Sequence, residues 1–394
     1  MQRSSSVHVA LSGLLMLAVA MGIGRFAFTP LLPMMQKDAG LSLAGGGWLA
    51  TANYVGYLLG ALTAIRMRFS AARIVLFSLF ATAVVTAAMG FGDDWTVWFL
   101  LRGLAGVASA WALVFAAAWA LQALAATGRP RLAGLMFAGV GFGIALVGVL
   151  CLQFATLGWS SARSWIALGV VALLLTLIAA PGFLAAPRPS SATTIPAAES
   201  SAVASPDFRS TFGLVIAYAL FGFGYIIPAT FLPAMAKRLI ADPSVFGLAW
   251  PIFGVAGLVS TLIAGHLLRR HSNRALWGTS HLIMGVGAFV PVILPNMVGI
   301  ALSAICVGGT FMVITLAAME EARRMAPLNP ARFMAQLTVA FAIGQILGPM
   351  FVSILPQGSH TLDALLSVAA ALLVISGIGL YRSSRLTPLV EAES

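Results

Sequence analysis

Apolar runs of about 20 residues recur along this chain, each long enough to cross a hydrocarbon core of roughly 30 Å as a helix. Twelve such runs are read, at 8–36, 46–66, 71–91, 95–119, 131–155, 163–184, 210–236, 244–268, 274–294, 297–319, 332–355 and 361–381. Only 8% of the 394 residues are charged and 60% are hydrophobic, whereas a soluble domain carries about 25% charged residues. The bilayer is therefore the solvent, and the expected fold is an all-α membrane protein with twelve transmembrane helices. The opening stretch MQRSSSVHVALSGLLMLAVA has the ingredients of a signal peptide, but its apolar run continues to Met35 and reads as a first span. Cys151 and Cys306 both fall inside apolar runs, which gives neither a disulfide framework nor a metal spacing.

The net charge of +11 would raise nucleic acid as a partner in a soluble protein, but here it sits in short loops. One side of the membrane collects Arg3, Arg66, Arg68, Arg73, Arg129, Arg131, Arg188, Arg209, Arg269, Arg270, Arg274, Arg323, Arg324, Arg332, Arg382 and Arg385. The other collects Lys37, Arg163, Lys237 and Arg238. Short-loop Lys and Arg mark the cytoplasmic side, so both termini are expected there. The same asymmetry accounts for the surplus charge without nucleic acid.

One long connection, residues 185–209, is rich in Ser, Pro and Ala and has no periodicity, so it reads as a linker. It divides the chain into a six-helix bundle at 1–184 and another at 210–394. These halves repeat. Residues 11–37 set against 211–237 without a gap match Gly13, Leu14, Gly22, Gly24, Leu32, Pro33, Met35 and Lys37 with the residues 200 positions later. The fifth and eleventh spans align at an offset of 201, with Arg131 against Arg332 and Gly143 against Gly344. Two parallel repeats fit the plan of carriers whose pseudo-symmetric halves rock about a midplane site. Gly22, Gly24, Pro30 and Pro33, with Gly222, Gly224, Pro228 and Pro233, are the expected bending points.

The stretch GIGRFAFTPLLPMM resembles the opening signature of the YbfB/YjiJ-type branch of the major facilitator superfamily, and the general resemblance covers the whole chain. It implies a transporter of the bacterial inner membrane that works by alternating access. RGLAGVASA, with Arg102 and Gly106, resembles the fourth-helix R-x-x-x-G pattern of drug:proton antiporters, but Ala105 replaces the usual Gln. GALTAIRMRFSAAR keeps Gly60 and Leu62 of the superfamily's second-to-third helix loop and has Ala64 where Asp is expected. GHLLRRHSNR fits that pattern better through Gly265, Leu267, Arg270 and Arg274, with Arg269 in place of the Asp. The fifth-helix glycine motif, GVGFGIALVG, has no Pro, whereas GQILGP in the eleventh span has Pro349.

Two arginines, Arg25 and Arg102, are embedded, and no Asp or Glu is deeply embedded with them. An Arg facing lipid costs at least about 2.5 kcal/mol, so both are expected to face a central cavity. Gly22, Arg25, Thr29 and Gln36 fall close to one stripe of a continuous helix. The repeat places Tyr225 opposite Arg25, giving one cationic and one neutral wall. The candidate substrate contacts are Arg25, Arg102, Thr29, Asn53, Tyr57, Tyr225 and Gln345, and Thr338 is a lesser polar candidate. The candidate gating residues are Gly22, Gly24, Pro33, Gly222, Gly224, Pro233, Arg270 and Arg274. Trp111, Phe115 and Trp119 could stack an aromatic solute, though packing is the simpler reading, and His281 is a weak proton-relay candidate. Arg stays protonated, so a proton partner would need mouth acids such as Asp94, or the substrate itself.

The resulting expectation is a secondary transporter for a small organic solute, an anion favoured, in a multi-pass monomer. No enzymatic activity, metal or cofactor is expected. Proton-linked efflux of hydrophobic compounds is the alternative within transport. A non-transporting sensor on the same scaffold is the rival from another class.

Overall fold

The computed structural model describes residues 2–64, 66–67, 69–185, 208–239, 242, 247–326, 330–356, 358 and 360–385. Of the linker expected at 185–209, only the two ends lie among the described residues. The first span is built from α1 (Gln2–Leu17), a π-helical segment (Ala18–Ile23) and α2 (Phe28–Asp38). The next five are α3 (Leu43–Ala64), α4 (Ala71–Ala88), α5 (Trp95–Ala126), α6 (Ala133–Thr156) and α7 (Ser161–Ala185). The last six are α8 (Phe208–Leu239), α9 (Ala249–Arg270), α10 (Asn273–Ile293), α11 (Met297–Met325), α12 (Pro330–Ile354) and α13 (Thr361–Arg385). There is no strand among the described residues.

Eleven of these twelve spans are long and apolar enough to cross a membrane on their own account. The second, α3, is less apolar because Thr51, Asn53, Tyr54 and Tyr57 ride on a glycine-rich helix, and all four are buried. Its 22 residues still reach about 33 Å at 1.5 Å per residue. Polar side chains in a spanning helix are tolerated where they face protein instead of lipid, so the face that carries these four is turned to the neighbouring helices while Val55, Leu59 and Leu62 remain exposed.

Several spans run beyond their hydropathic limits, among them α5, which continues to Ala126, and α11, which continues to Met325. The apolar signal stops at the hydrocarbon edge, whereas backbone hydrogen bonding carries a helix on into water. Left-handed glycines close two of the helices. Gly128 (φ +67°) and Gly158 (φ +69°) let Arg129 N–H donate to the Leu124 carbonyl and Trp159 N–H to the Phe154 carbonyl, both at 2.9 Å. These are the wrap-around bonds of a Schellman stop.

The packing repeats between halves. The α3–α5, α4–α5 and α4–α7 contacts recur as α9–α11, α10–α11 and α10–α13, and the packing of α6 on the first span recurs as α12 on α8. The halves themselves meet through α3 with α12 and α9 with α6, two pairs that the repeat interchanges. At the second pair the chains approach through glycine. A Cβ on Gly141 would lie 2.3 Å from the Leu258 backbone, and one on Gly148 would lie 2.6 Å from Pro251. Small residues are what allow helices to approach closely in lipid, where no hydrophobic force drives them together.

Candidate functional site

The first span breaks at its centre, and the break makes the site. Pro30 has no N–H to offer the Phe26 carbonyl, which accepts instead from Thr29 at 3.2 Å. Upstream, i→i−5 bonds replace i→i−4 ones: Gly24 N–H donates to the Val19 carbonyl at 2.9 Å and Phe26 N–H to Met21 at 3.0 Å. This π-helical shift leaves the carbonyls of Gly24 and Arg25 outside the helical ladder. Single-turn π-bulges of this kind concentrate at functional sites.

Those two carbonyls are taken up by Arg102 on α5. Its Nη1 donates to the Gly24 carbonyl at 3.4 Å and its Nη2 to the Arg25 carbonyl at 3.2 Å, while the guanidinium lies 4.9 Å from the Phe28 ring centroid. Asn53 on α3 completes the clamp. It donates to the Arg102 carbonyl at 2.9 Å and reaches the Gly24 carbonyl at 3.5 Å. Gly106, four residues beyond Arg102, permits this geometry, because a Cβ there would lie 2.0 Å from the Asn53 carbonyl oxygen. The R-x-x-x-G spacing thus reads locally as a donor followed by the gap that admits its neighbour helix.

Arg25 is placed differently. Only 2% exposed, its guanidinium lies over Tyr57 at 4.2 Å and Tyr54 at 4.9 Å, close enough for cation–π attraction. Its Nη2 donates to Oε1 of Gln345 on α12, across the junction between halves. Arg25 Nε and Gln345 Nε2 are buried donors without a partner among the described residues. The ion pairs found there, Arg274 and Arg324 with Glu321, Arg323 with Glu320 and His360 with Asp363, leave Arg25 without a carboxylate.

Other expected residues distribute unevenly. Thr29 donates to the Ala229 carbonyl at 3.0 Å, so a residue touches its own repeat equivalent, which places both on the pseudo-twofold axis. Tyr225 is buried in an aromatic wall, stacked on Phe311 at 5.6 Å and facing Phe341 at 6.2 Å. Gly22 lies against Gly143, where a Cβ would come within 2.5 Å of its backbone, and the Pro33 carbonyl accepts from Lys237 Nζ. Of the stripe of Gly22, Arg25, Thr29 and Gln36, Arg25 and Thr29 both reach the second half, whereas Gly22 faces Gly143 of its own half, the π-helical shift between them having broken the 3.6-residue period.

Gly222 and Gly224 lie within α8, which runs on through Pro228 and Pro233 without interruption. Counted from the helix starts, the position on α11 equivalent to Arg102 is Ala304, so the second half has no cation to receive freed carbonyls. Arg274 is bound to the buried Glu321 of α11, while Arg270 is exposed. Asp94 is an exposed helix cap, accepting from Val97 N–H at 2.8 Å. Trp119 packs edge-on against Phe183 and Trp111 donates to Thr63 Oγ1 at 3.0 Å, both packing roles. Thr338 donates to the carbonyl one turn back in its own helix. His281 is fully buried and accepts from Trp277 Nε1 at 2.8 Å. Sequence reasoning missed Tyr54, whose hydroxyl lies 3.1 Å from Thr230 Oγ1. The signal for it was the polar run from Asn53 to Tyr57.

Twelve spans in two repeated halves, with a broken helix and a buried cation where the halves meet, define a transporter of the major facilitator type and not an enzyme. The chain belongs to the family described as uncharacterised MFS-type transporter YbfB, whose model matches residues 17–380. It is 25% identical over 371 residues to the uncharacterised MFS-type transporter YceJ of Bacillus subtilis (strain 168), covering 90% of this chain and 91% of that one. Among solved structures, a bacterial homologue of the human lysosomal transporter Spinster in an inward-facing, unoccupied conformation superposes with a TM-score of 0.73 at 15% identity, covering 97% of each chain. The nucleoside transporter NupG gives 0.67 at 12% identity, covering 98% of this chain and 100% of that one. These likenesses speak to the fold; the protein is a multi-pass membrane transporter with a small-molecule substrate.

Proposed function

We propose that this transporter carries a small organic anion with an apolar or aromatic body, using Arg25 as the group that binds the charge. The observation that carries the reading is a permanent cation, buried at the junction of the halves and without a carboxylate partner among the described residues. Its Nε and the adjacent Gln345 Nε2 are unused donors, and buried donors of that kind favour an acceptor. A guanidinium holds a carboxylate through two parallel bonds, and the Tyr225–Phe311–Phe341 wall across the junction suits the rest of the solute. Arg102 and Asn53 act as positioning residues that keep the first span broken at the level of Arg25.

In this reading residues 1–184 and 210–394 are the two bodies that rock, 185–209 connects them on the cytoplasmic side, and both termini are cytoplasmic. The bonds Thr29–Ala229, Tyr54–Thr230 and Lys237–Pro33, with Ser353 Oγ on the Ala44 carbonyl at 2.9 Å, all lie between the level of Arg25 and the end that carries Lys37. That end is the sealed one.

A thermal-shift screen of purified protein against organic anions, cations and neutral solutes tests the proposal. Anions should stabilise the wild type and fail to stabilise Arg25→Gln, and proteoliposomes bearing that variant should show no counterflow of the anion found. Stabilisation by cations alone, or by hydrophobic neutral compounds alone as efflux of such compounds would require, overturns it. A protein that no solute stabilises and that supports no counterflow would instead match the sensor reading.

A further inference from the structure

On the side of the Arg-rich loops, two cavities adjoin at Arg274. The first, about 290 Å³, is a cup at the ends of α9 and α11 and the start of α10, lined by Arg269, Arg270, His271, Arg274, Arg324 and Glu321. Four arginines face one carboxylate. Glu321, 1% exposed, accepts from Arg274 and, at 2.9 Å, from Arg324 Nη2. Arg269 and Arg270 have no ion-pair partner among the described residues, so the cup keeps a surplus of three positive charges.

The second cavity, about 450 Å³, is an apolar groove between α8 and α13, lined by Phe212, Ile216, Leu220 and Ile375 and again reaching Arg274. Gly213 and Gly379 stand on its walls, and a Cβ built on either would meet nothing within 4 Å. The groove is therefore open where a side chain would fill it. Ser376 also lines it, and its hydroxyl is a buried group without a partner among the described residues.

We propose that the cup and groove together bind an anionic phospholipid of the leaflet on that side, with the headgroup phosphate on Arg269, Arg270 and Arg274 and an acyl chain along the groove. Charge selects the headgroup, since basic pockets between spanning helices take anionic lipid heads. The groove selects a lipid over a free phosphate, because a phosphate would need the cup alone. Arg274 links the two parts, one face toward the acid that holds it and one toward the mouth of the groove. The site is independent of the central one, so its test does not depend on the identity of the solute.

Full-length protein in phosphatidylcholine nanodiscs or detergent would be titrated with phosphatidylglycerol, phosphatidylcholine and inorganic phosphate, with melting followed and bound lipid counted by native mass spectrometry. Phosphatidylglycerol should stabilise saturably and remain bound, and the other two should not. Arg269→Gln/Arg270→Gln should weaken that binding by roughly thirtyfold, since each cation near the surface contributes about five- to sixfold and the two factors multiply. Gly379→Leu should weaken it without altering charge, and its melting in phosphatidylcholine should hold, because Leu favours helix more than Gly does. Arg25→Gln should retain it in full. Equal stabilisation by phosphatidylcholine, a matching effect of inorganic phosphate, or wild-type binding by both the double and the Gly379 variants overturns the proposal.

Discussion

Arg25 and Arg102 carry the same guanidinium at the same depth, yet removing each should move stability in opposite directions. Arg102 satisfies two carbonyls released by the break. Arg102→Gln takes away their donor, leaving the Gly24 carbonyl only the long Asn53 bond at 3.5 Å; at about 1–3 kcal/mol for each buried polar group left unpaired, a loss of up to about 6 kcal/mol is expected. Arg25 is an uncompensated buried cation, softened by two tyrosine rings and an amide. Arg25→Gln removes that charge, so the ligand-free protein should melt at or above the wild-type temperature. Thermal unfolding of both variants in one detergent decides the matter; an Arg25→Gln loss as large as that of Arg102→Gln would make Arg25 structural. Both cations were legible as embedded charges. Their division of labour was not, because the acceptors of Arg102 exist only after the helix leaves its 3.6-residue register, and a period-based reading has no term for that shift.

At the scale of elements, the α3–α5 pair decides whether Asn53 and Arg102 meet. A Cβ on Gly56 would lie 2.0 Å from the Gly103 carbonyl, just as one on Gly106 would collide with that of Asn53. Gly106→Leu should therefore push α3 away from α5, costing about 1–3 kcal/mol or more as overpacking does, and should also lower anion binding because the clamp on the first span opens. Gly134→Leu is the contrast: nothing lies within 4 Å of its Cβ position, so melting should be unchanged or raised by the gain in helix propensity. Equal damage from both would mean that glycine here serves flexibility and not close approach. The spans and the repeat were readable because apolar run length and a constant 200-residue offset are properties of the sequence itself. Which of the many glycines touch a neighbour, and that the first span breaks while its repeat α8 does not, depend on partners such as Arg102 that lie far away along the chain.

For the whole molecule, the sealed end is the feature that alternating access must reverse. At the α3–α12 contact, a Cβ on Gly47 would lie 3.5 Å from the Ser353 Cβ, within the range that a disulfide spans, and 2.7 Å from the Pro349 carbonyl oxygen, so α3 and α12 must ease apart by a few tenths of an ångström to admit it. Gly47→Cys/Ser353→Cys should therefore oxidise readily and hold the two halves together at that end. The native thiols complicate the count little, since Cys151 is buried and Cys306 is half-buried. Thiol counting by maleimide mass tagging should show two cysteines lost on oxidation and recovered on reduction. Counterflow of the anion from the screen should stop and return in step. Failure to cross-link under mild oxidant would mean that the sealed end is rarely visited, whereas transport that continues through a complete cross-link would mean that solute passes without parting the halves there. Because Gly47 and Ser353 lie away from Arg25 and the aromatic wall, the reduced variant should bind the anion as the wild type does, which separates a locked carrier from a damaged site.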